Sequence, residues 1–463
     1  MAKRNGGGVG VSPTKRGAGV SPTKHSALLA GIVALIVGIS AAIYAGAATA
    51  DGHAGRSALA QGRAPHNSAA PASTGTWVGS WSASPAGAEP GTETAGLAGR
   101  SVRNVVHAGV GGTSARVTLS NLYGQSALTL TNASIAVAAT SRSAAAAAES
   151  MVRLTFSGAT TVVIPAGGQV LSDAVRIVIP QGSDVLVTTY SPSASGPVTY
   201  HPHARQISYV ADGDLTEDVT GTAYTEQTGF WRYLTALDVL SNESDGTVVA
   251  FGDSLTDGIT STADANRRWT DVLAQRLRAA VGSGQDVPRY SVINQGISGN
   301  RVLTGGLGRP ADNQSGLDRY ARDVLSRTNV KVVIIDLGVN DILRNPQLAD
   351  PDRIVEGLRT LVRQAHARGI KVVGATLMPF EGHRGYSGDR EGVRQEVNAE
   401  IRSGRVFDAV VDFDRALRDP YDPRRLRSDY DSGDHLHPSD KGYARMAAAF
   451  DLDDLKGSAP AQL

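Results

Sequence analysis

The chain has 463 residues, too many for one ordinary core, and its length alone suggests about three units. Its 45 Lys and Arg against 44 Asp and Glu leave a formal charge of +1, a balance that calls for no nucleic acid and no acidic polymer as partner. Cysteine is absent, which excludes disulfides, thiol catalysis and cysteine metal sites and leaves histidine and the carboxylates to carry any acid–base chemistry.

Residues 1–26 form a basic, glycine-rich stretch in which Gly-Val-Ser-Pro-Thr-Lys occurs twice, at Gly10–Lys15 and Gly19–Lys24. Its polarity predicts a solvated, disordered cytoplasmic leader. Ala27–Ala48 is apolar and uncharged, long enough to span a bilayer at about 1.5 Å per residue. Lys3, Arg4, Lys15, Arg16 and Lys24 precede it, which places the N-terminus in the cytoplasm and everything beyond Ala48 on the other side. Residues 27–50 are therefore expected to be a transmembrane anchor or a signal segment. Ala48-Thr49-Ala50 has the small-x-small form of a cleavage site, so a membrane-anchored and a secreted product, cut after Ala50, both stay open. Residues 51–75, rich in Ala, Gly, Ser and Pro, read as a linker.

From 76 to 245 the pattern changes to short segments of Val, Ile and Thr punctuated by Gly, Pro, Asn and Ser, which predicts an all-β sandwich. The expected strands are Ser101–His107, Ala115–Leu119, Leu128–Ala138, Val152–Phe156, Thr161–Ile164, Val175–Ile179 and Val185–Tyr190, with Ala144–Ser150 as a loop. Trp77, Trp81, Tyr123, Tyr200, Tyr209, Trp231 and Tyr233 admit two readings, core packing or a platform that stacks on sugar rings and makes the domain carbohydrate-binding. His201-Pro202-His203, without a cysteine partner, reads as a surface turn rather than a metal site.

Residues 246–463 alternate strand and helix signals, as a doubly wound α/β fold requires. The expected strands are Thr247–Phe251, Tyr290–Ile293, Val330–Leu337, Ile370–Leu377 and Ala409–Phe413. Ile354, Leu358, Leu361, Val362 and Ala365 recur at helical spacing and should cover one sheet face, with Gly369 ending that helix.

Four segments of this half carry chemistry. Gly252-Asp253-Ser254-Leu255 sets a serine just past a strand, either as an exposed nucleophile or as an ordinary helix N-cap. Asn294-Gln295-Gly296-Ile297-Ser298-Gly299-Asn300 offers a backbone N–H at Gly299 that can approach a ligand, or only a tight turn. Leu337-Gly338-Val339-Asn340-Asp341 places a side-chain amide at the same sheet edge, as a donor or a cap. Asp434-His435-Leu436-His437-Pro438 sets a carboxylate three residues before an imidazole, close enough to orient it. The rival for the last segment is a His-x-His metal site.

These four segments, in this order over roughly Thr247–Asp451, resemble the blocks of the SGNH, or GDSL, esterase and lipase superfamily. The resemblance implies a three-layer α/β/α, flavodoxin-like hydrolase domain. Catalytic roles fall on Ser254 as nucleophile, His437 as base and Asp434 as its orienting acid. The oxyanion hole would comprise the Ser254 N–H, Gly299 and Asn340. His435 is left as a loop residue, and Asp253 and Asp341 as ties for their loops. Asn266-Arg267-Arg268-Trp269 and Met378-Pro379-Phe380-Glu381-Gly382 resemble the two-domain exported branch that includes xylan-esterase-like proteins.

The function expected is an extracytoplasmic serine esterase for short, acetyl-type esters on carbohydrate, with no cofactor and no metal. The alternatives are a lipase or lysophospholipase acting on lipid acyl esters, and a non-catalytic surface adhesion module. Natural substrate, acyl length and oligomeric state are not legible in the chain.

Overall fold

Strand Arg100–His107 is flanked on both sides, by Asp184–Ser191 and by Ser208–Asp212, in fully antiparallel register. The structure, a computed structural model, describes residues 75–306, 313–345 and 347–459. The expected leader and apolar run, and the linker up to residue 74, lie outside the described residues. Among the described residues no helix is long and apolar enough to cross a membrane.

Two antiparallel sheets make the β-half. One has the order Thr76–Ser82, Leu234–Ser241, Gly112–Ser120, Val175–Ile179, with Gln169–Leu171 also on Gly112–Ser120. The other runs Glu226–Thr228, Ser208–Asp212, Arg100–His107, Asp184–Ser191, Asn132–Val137, Val152–Arg153. Val117, Leu119, Leu237 and Val239 of the first pack with Val102, Val106, Ile135 and Val187 of the second in one core, as alternation with a period of two dictates. All seven expected strand regions are present. Leu128–Ala138, expected as one strand, divides at Thr131: Leu128–Leu130 pairs with Val162–Ile164, and Asn132–Val137 joins the larger sheet.

Most of the seven aromatics pack in the interior. Trp81, Tyr200, Tyr209, Trp231 and Tyr233 are buried, and Trp77 lies under the Arg116 guanidinium at 4.6 Å. Trp81 and Trp231 pack edge to face at 4.8 Å.

The C-terminal half is built on a five-stranded parallel sheet: β1 (Gly246–Gly252), β2 (Tyr290–Gly296), β3 (Val330–Asp336), β4 (Lys371–Ala375) and β5 (Ala409–Val411), in the order 2-1-3-4-5. Helices cover both faces. Val249 and Phe251 of β1 join the core that holds Leu358 and Leu361, whereas Val248 and Ala250 join the one that holds Trp269, Leu273 and Met446. Strands buried on both faces read as continuous apolar runs, which is why these five stand out in the sequence. The expected helix spans Pro351–His366, capped by the Asp350 carboxylate on the N–H groups of Asp352 and Arg353, and Gly369 follows it at φ +68°.

The two halves meet along Thr76–Ser82. Gly79 N–H donates to Thr247 Oγ1 (3.1 Å), Ser82 Oγ to the Asn294 carbonyl (3.0 Å) and Gln295 Nε2 to Ser82 Oγ (2.8 Å).

Candidate active site

Because β2, β1 and β3 are neighbours, the segments after their carboxyl ends share one crevice, the usual ligand position in an open parallel sheet. After β1 comes the four-residue helix α1 (Ser254–Asp257). Its cap is Asp253, whose Oδ1 accepts the Leu255 N–H at 3.0 Å. The N-cap reading of Ser254 is thereby corrected: the aspartate satisfies the helix end, and the serine hydroxyl points to His437 Nε2 at 2.8 Å.

His437 is held from behind. Its Nδ1 lies 2.6 Å from Asp434 Oδ2, and Asp434 Oδ1 accepts the backbone N–H groups of Leu436 (3.0 Å) and His437 (2.8 Å). Partial burial pushes the Asp434 carboxyl up. The bonds from the His437 ring and backbone outweigh it and hold the group well below the usual carboxylate range. His435 turns elsewhere, in a left-handed backbone conformation (φ +64°), with its Nδ1 2.6 Å from Asp431 Oδ2. The two histidines thus bind different carboxylates and do not converge. Among the described residues no cluster of three or more His, Asp or Glu is placed to hold a metal ion.

After β2 the loop reaches Gly299 at φ +77°, a conformation open to glycine at little cost. The preceding Ser298 N–H donates to Asp257 Oδ2 (3.1 Å), which ties this loop to the end of α1. After β3, Gly338 at φ +131° turns the chain into the short helix Val339–Leu343. Asn340 is therefore inside that helix rather than capping it. Its Nδ2 donates to Asp253 Oδ2 (3.0 Å) and its Oδ1 accepts from Arg344 Nε (2.9 Å), so both ends of the amide are fixed. Asp341 accepts the N–H groups of Val302 (2.7 Å) and Leu303 (3.1 Å), anchoring the chain beyond the Gly299 loop.

Residues 250–445, which contain all four segments, match the model of the GDSL-like lipase/acylhydrolase family. These residues, fewer than half of the chain, form a domain similar to that family. The match makes this part of the chain a carboxylic ester hydrolase. Solved structures similar to the chain include a carbohydrate acetylesterase from Sinorhizobium meliloti (20% identity, 44% of this chain and 96% of that one, TM-score 0.34). Others are an acetylxylan esterase from Geobacillus stearothermophilus (22%, 46% and 94%, 0.35) and a GDSL-like lipase from Bacteroides thetaiotaomicron (21%, 44% and 84%, 0.30). No curated protein matches the chain.

Two features of this site are not expected from the sequence. His201, read as part of a surface turn, is buried: its Nδ1 meets the Ser84 carbonyl (2.9 Å) and its Nε2 meets Asp257 Oδ1 (2.9 Å). His203 Nδ1 lies 3.3 Å from the other Asp257 oxygen. Burial raises the Asp257 carboxyl, but the charge and hydrogen bond of His201, with His203 behind, hold it far below its ordinary value. The β-half thus reaches the end of α1. Arg319, also fully buried, donates to the carbonyls of Gly252 (2.9 Å) and Gln295 (2.8 Å) and to Asn300 Oδ1 (2.9 Å), bracing the ends of β1 and β2 together.

Beneath the site sit three buried carboxyl groups. Burial and the neighbouring Asp336 charge push Asp253 up, burial pushes Asp336 up to about 7, and burial lifts Asp341 to about 6 against its two backbone donors. A cleft of about 630 Å³ opens at His437, lined by Asn340, Arg344, His383, Arg384 and Asp434 among others.

Proposed function

We propose that the protein is an extracytoplasmic serine esterase that removes short, acetyl-type acyl groups from carbohydrate through an acyl-enzyme. The observation that carries this reading is the continuous chain Ser254 Oγ, His437 Nε2, His437 Nδ1, Asp434 Oδ2, with contacts of 2.8 and 2.6 Å. A serine hydroxyl is a poor nucleophile at neutral pH unless a base takes its proton, and this geometry supplies one.

In the proposed reaction Ser254 Oγ attacks the ester carbonyl carbon as its proton passes to His437 Nε2. The carbonyl oxygen becomes an oxyanion facing the N–H groups of Ser254 and Gly299 and the Asn340 amide. Each such donor is typically worth about 3 kcal/mol in the transition state. Collapse expels the alcohol oxygen, which takes the proton from His437 and leaves the acyl group on Ser254. A water then gives a proton to His437 and attacks the acyl carbon. Departure of Ser254 Oγ, which recovers that proton, releases the carboxylic acid. Asp434 keeps the imidazole oriented and stabilises its cationic form throughout.

A short acyl group and a polar alcohol suit a cleft lined by Arg344, His383 and Arg384. The carbohydrate assignment is supported by the Asn266–Trp269 and Met378–Gly382 segments. The location is supported by the basic residues ahead of the apolar run Ala27–Ala48. Hydrolysis of p-nitrophenyl esters from acetyl to palmitoyl by the full chain, beside Ser254→Ala, tests the chemistry. Ser254-dependent turnover should peak at acetyl or butyryl; a long-chain optimum would instead make the protein a lipase. Protease digestion of intact cells, which should cut the catalytic half if it is anchored outside, tests the location, together with assay of the medium.

A further inference from the structure

We propose that the cleft beside His437 is an anion subsite: it receives a carboxylate or phosphate carried on the alcohol half of the ester, recognised by Arg384 and the Nε2–H of His383. The inference rests on the esterase reading above, because that reading decides which half of the substrate lies there. His437 must hand its proton to the departing alcohol oxygen, and His437 lines this cleft, so the alcohol leaves along it.

The side chains lining that path are unbalanced in charge and in hydrogen-bonding sense. Two guanidinium groups, Arg344 and Arg384, face one carboxylate, Asp434. Both Asp434 oxygens already accept hydrogen bonds, from the His437 ring and from backbone N–H groups. The Asn340 carbonyl oxygen is likewise engaged, by Arg344. What the remaining polar side chains offer is donors. A neutral sugar presents hydroxyls that both donate and accept, whereas a carboxylate or phosphate only accepts and gains charge assistance from each donor.

Arg384 is exposed and forms no ion pair with a carboxylate among the described residues. Arg402 and Arg394 of the same domain, by contrast, are each engaged by two acidic side chains. His383 accepts the Gly385 N–H at Nδ1 (3.1 Å), which leaves its ring proton on Nε2. Burial pushes its pKa down, so it stays a neutral, directional donor. The loop that carries both is fixed: Arg390 donates to the Gly385 carbonyl (2.7 Å) and to the Asn345 carbonyl (3.2 Å).

The test compares kcat/KM of the full chain for three acetyl esters: an O-acetylated methyl glucuronoside, the same compound with its carboxylate methyl-esterified, and acetyl glycerol phosphate. At low ionic strength the free carboxylate should be preferred over its methyl ester by about tenfold, mostly through KM, and the preference should shrink severalfold near 0.5 M salt, where the screening length is only about 4 Å. Arg384→Gln, at an exposed position that should not disturb folding, should collapse the same ratio. A still larger preference for the phosphate would equally support the subsite and identify phosphate as its ligand. Equal kcat/KM for the acid and its methyl ester, or a ratio indifferent to Arg384→Gln, would overturn it. The methyl ester reports hydrolysis alone, so absence of Ser254-dependent turnover on every probe would overturn the esterase reading, and the subsite with it.

Discussion

His201 Nε2 lies 2.9 Å from Asp257 Oδ1, with both side chains buried, and this contact joins the β-half to the last residue of the helix that starts with Ser254. Asp257 passes the constraint on, because its other oxygen accepts the Ser298 N–H next to Gly299. Removing the imidazole leaves a buried carboxylate short of its main partner, a change that typically costs about 3 to 5 kcal/mol. His201→Ala should lower stability by roughly that amount in urea unfolding. It should also reduce kcat about tenfold with KM little changed, since the proposed oxyanion donor at Gly299 acts in the transition state. His201→Gln, which can still donate to Asp257, should recover part of both. Wild-type stability and kcat in His201→Ala would show that the contact positions nothing.

Asn340 is the proposed side-chain donor to the oxyanion, and its amide is clamped between Asp253 and Arg344. Asn340→Ala should lower kcat by about 10² to 10³, the usual effect of deleting one such donor, with a smaller change in KM. Steady-state kinetics on an acetyl ester measure this, and a loss below about threefold would remove Asn340 from the oxyanion hole.

The buried Asp336 carboxyl, 3.0 Å from the Thr256 hydroxyl, should make the protein less stable as pH rises. Its pKa is pushed from 3.8 up to about 7, so the folded state holds a proton that the unfolded chain has released. Stability from this group is complete below about pH 4 and is lost as pH climbs through about 7. Asp336→Asn keeps an acceptor for Thr256 and cannot ionise. Its Tm should match wild type near pH 4 and exceed it at pH 8, by the equivalent of roughly 2 to 4 kcal/mol. Parallel Tm profiles for the two proteins would sink the assignment.

Residues whose partners lie close in sequence, or whose environment is uniform, were legible before the structure. Asp434 and His437 are three residues apart, and the central strands hold the apolar runs Val248–Phe251 and Val332–Ile335 because both faces are covered. Five strands of the two β-half sheets carry a weaker signal: Thr76–Ser82, Gln169–Leu171, Ser208–Asp212, Glu226–Thr228 and Leu234–Ser241. In Thr76–Ser82 the residues that look solvent-facing are buried: Ser80 donates to the Val110 carbonyl, and Ser82 donates across the interface to the Asn294 carbonyl of β2. Asp238 of Leu234–Ser241 is similarly buried between Arg116 and Thr328. Polar residues paired across an interface erase the period-two pattern that marks a half-exposed strand. His201 was misread for the same reason, since its partner Asp257 is 56 residues away and on the other half.

Gly296, the last residue of β2, has no room for a side chain. A Cβ there would collide with the backbone N and Cα of Asp257, and the colliding atoms belong to main chain that His201, Ser298 and Asp253 already hold. The nearest relief is to move β2 away from α1, which carries the Gly299 N–H away from Ser254. Gly296→Ala should therefore reduce kcat by more than tenfold while costing only about 1 to 3 kcal/mol of stability, the usual penalty of overpacking. Circular dichroism and urea unfolding separate the two effects. Equal proportional losses in folded fraction and activity would mean that the glycine serves packing alone, whereas a folded, inactive variant would place the approach of β2 to α1 in control of the Gly299 loop.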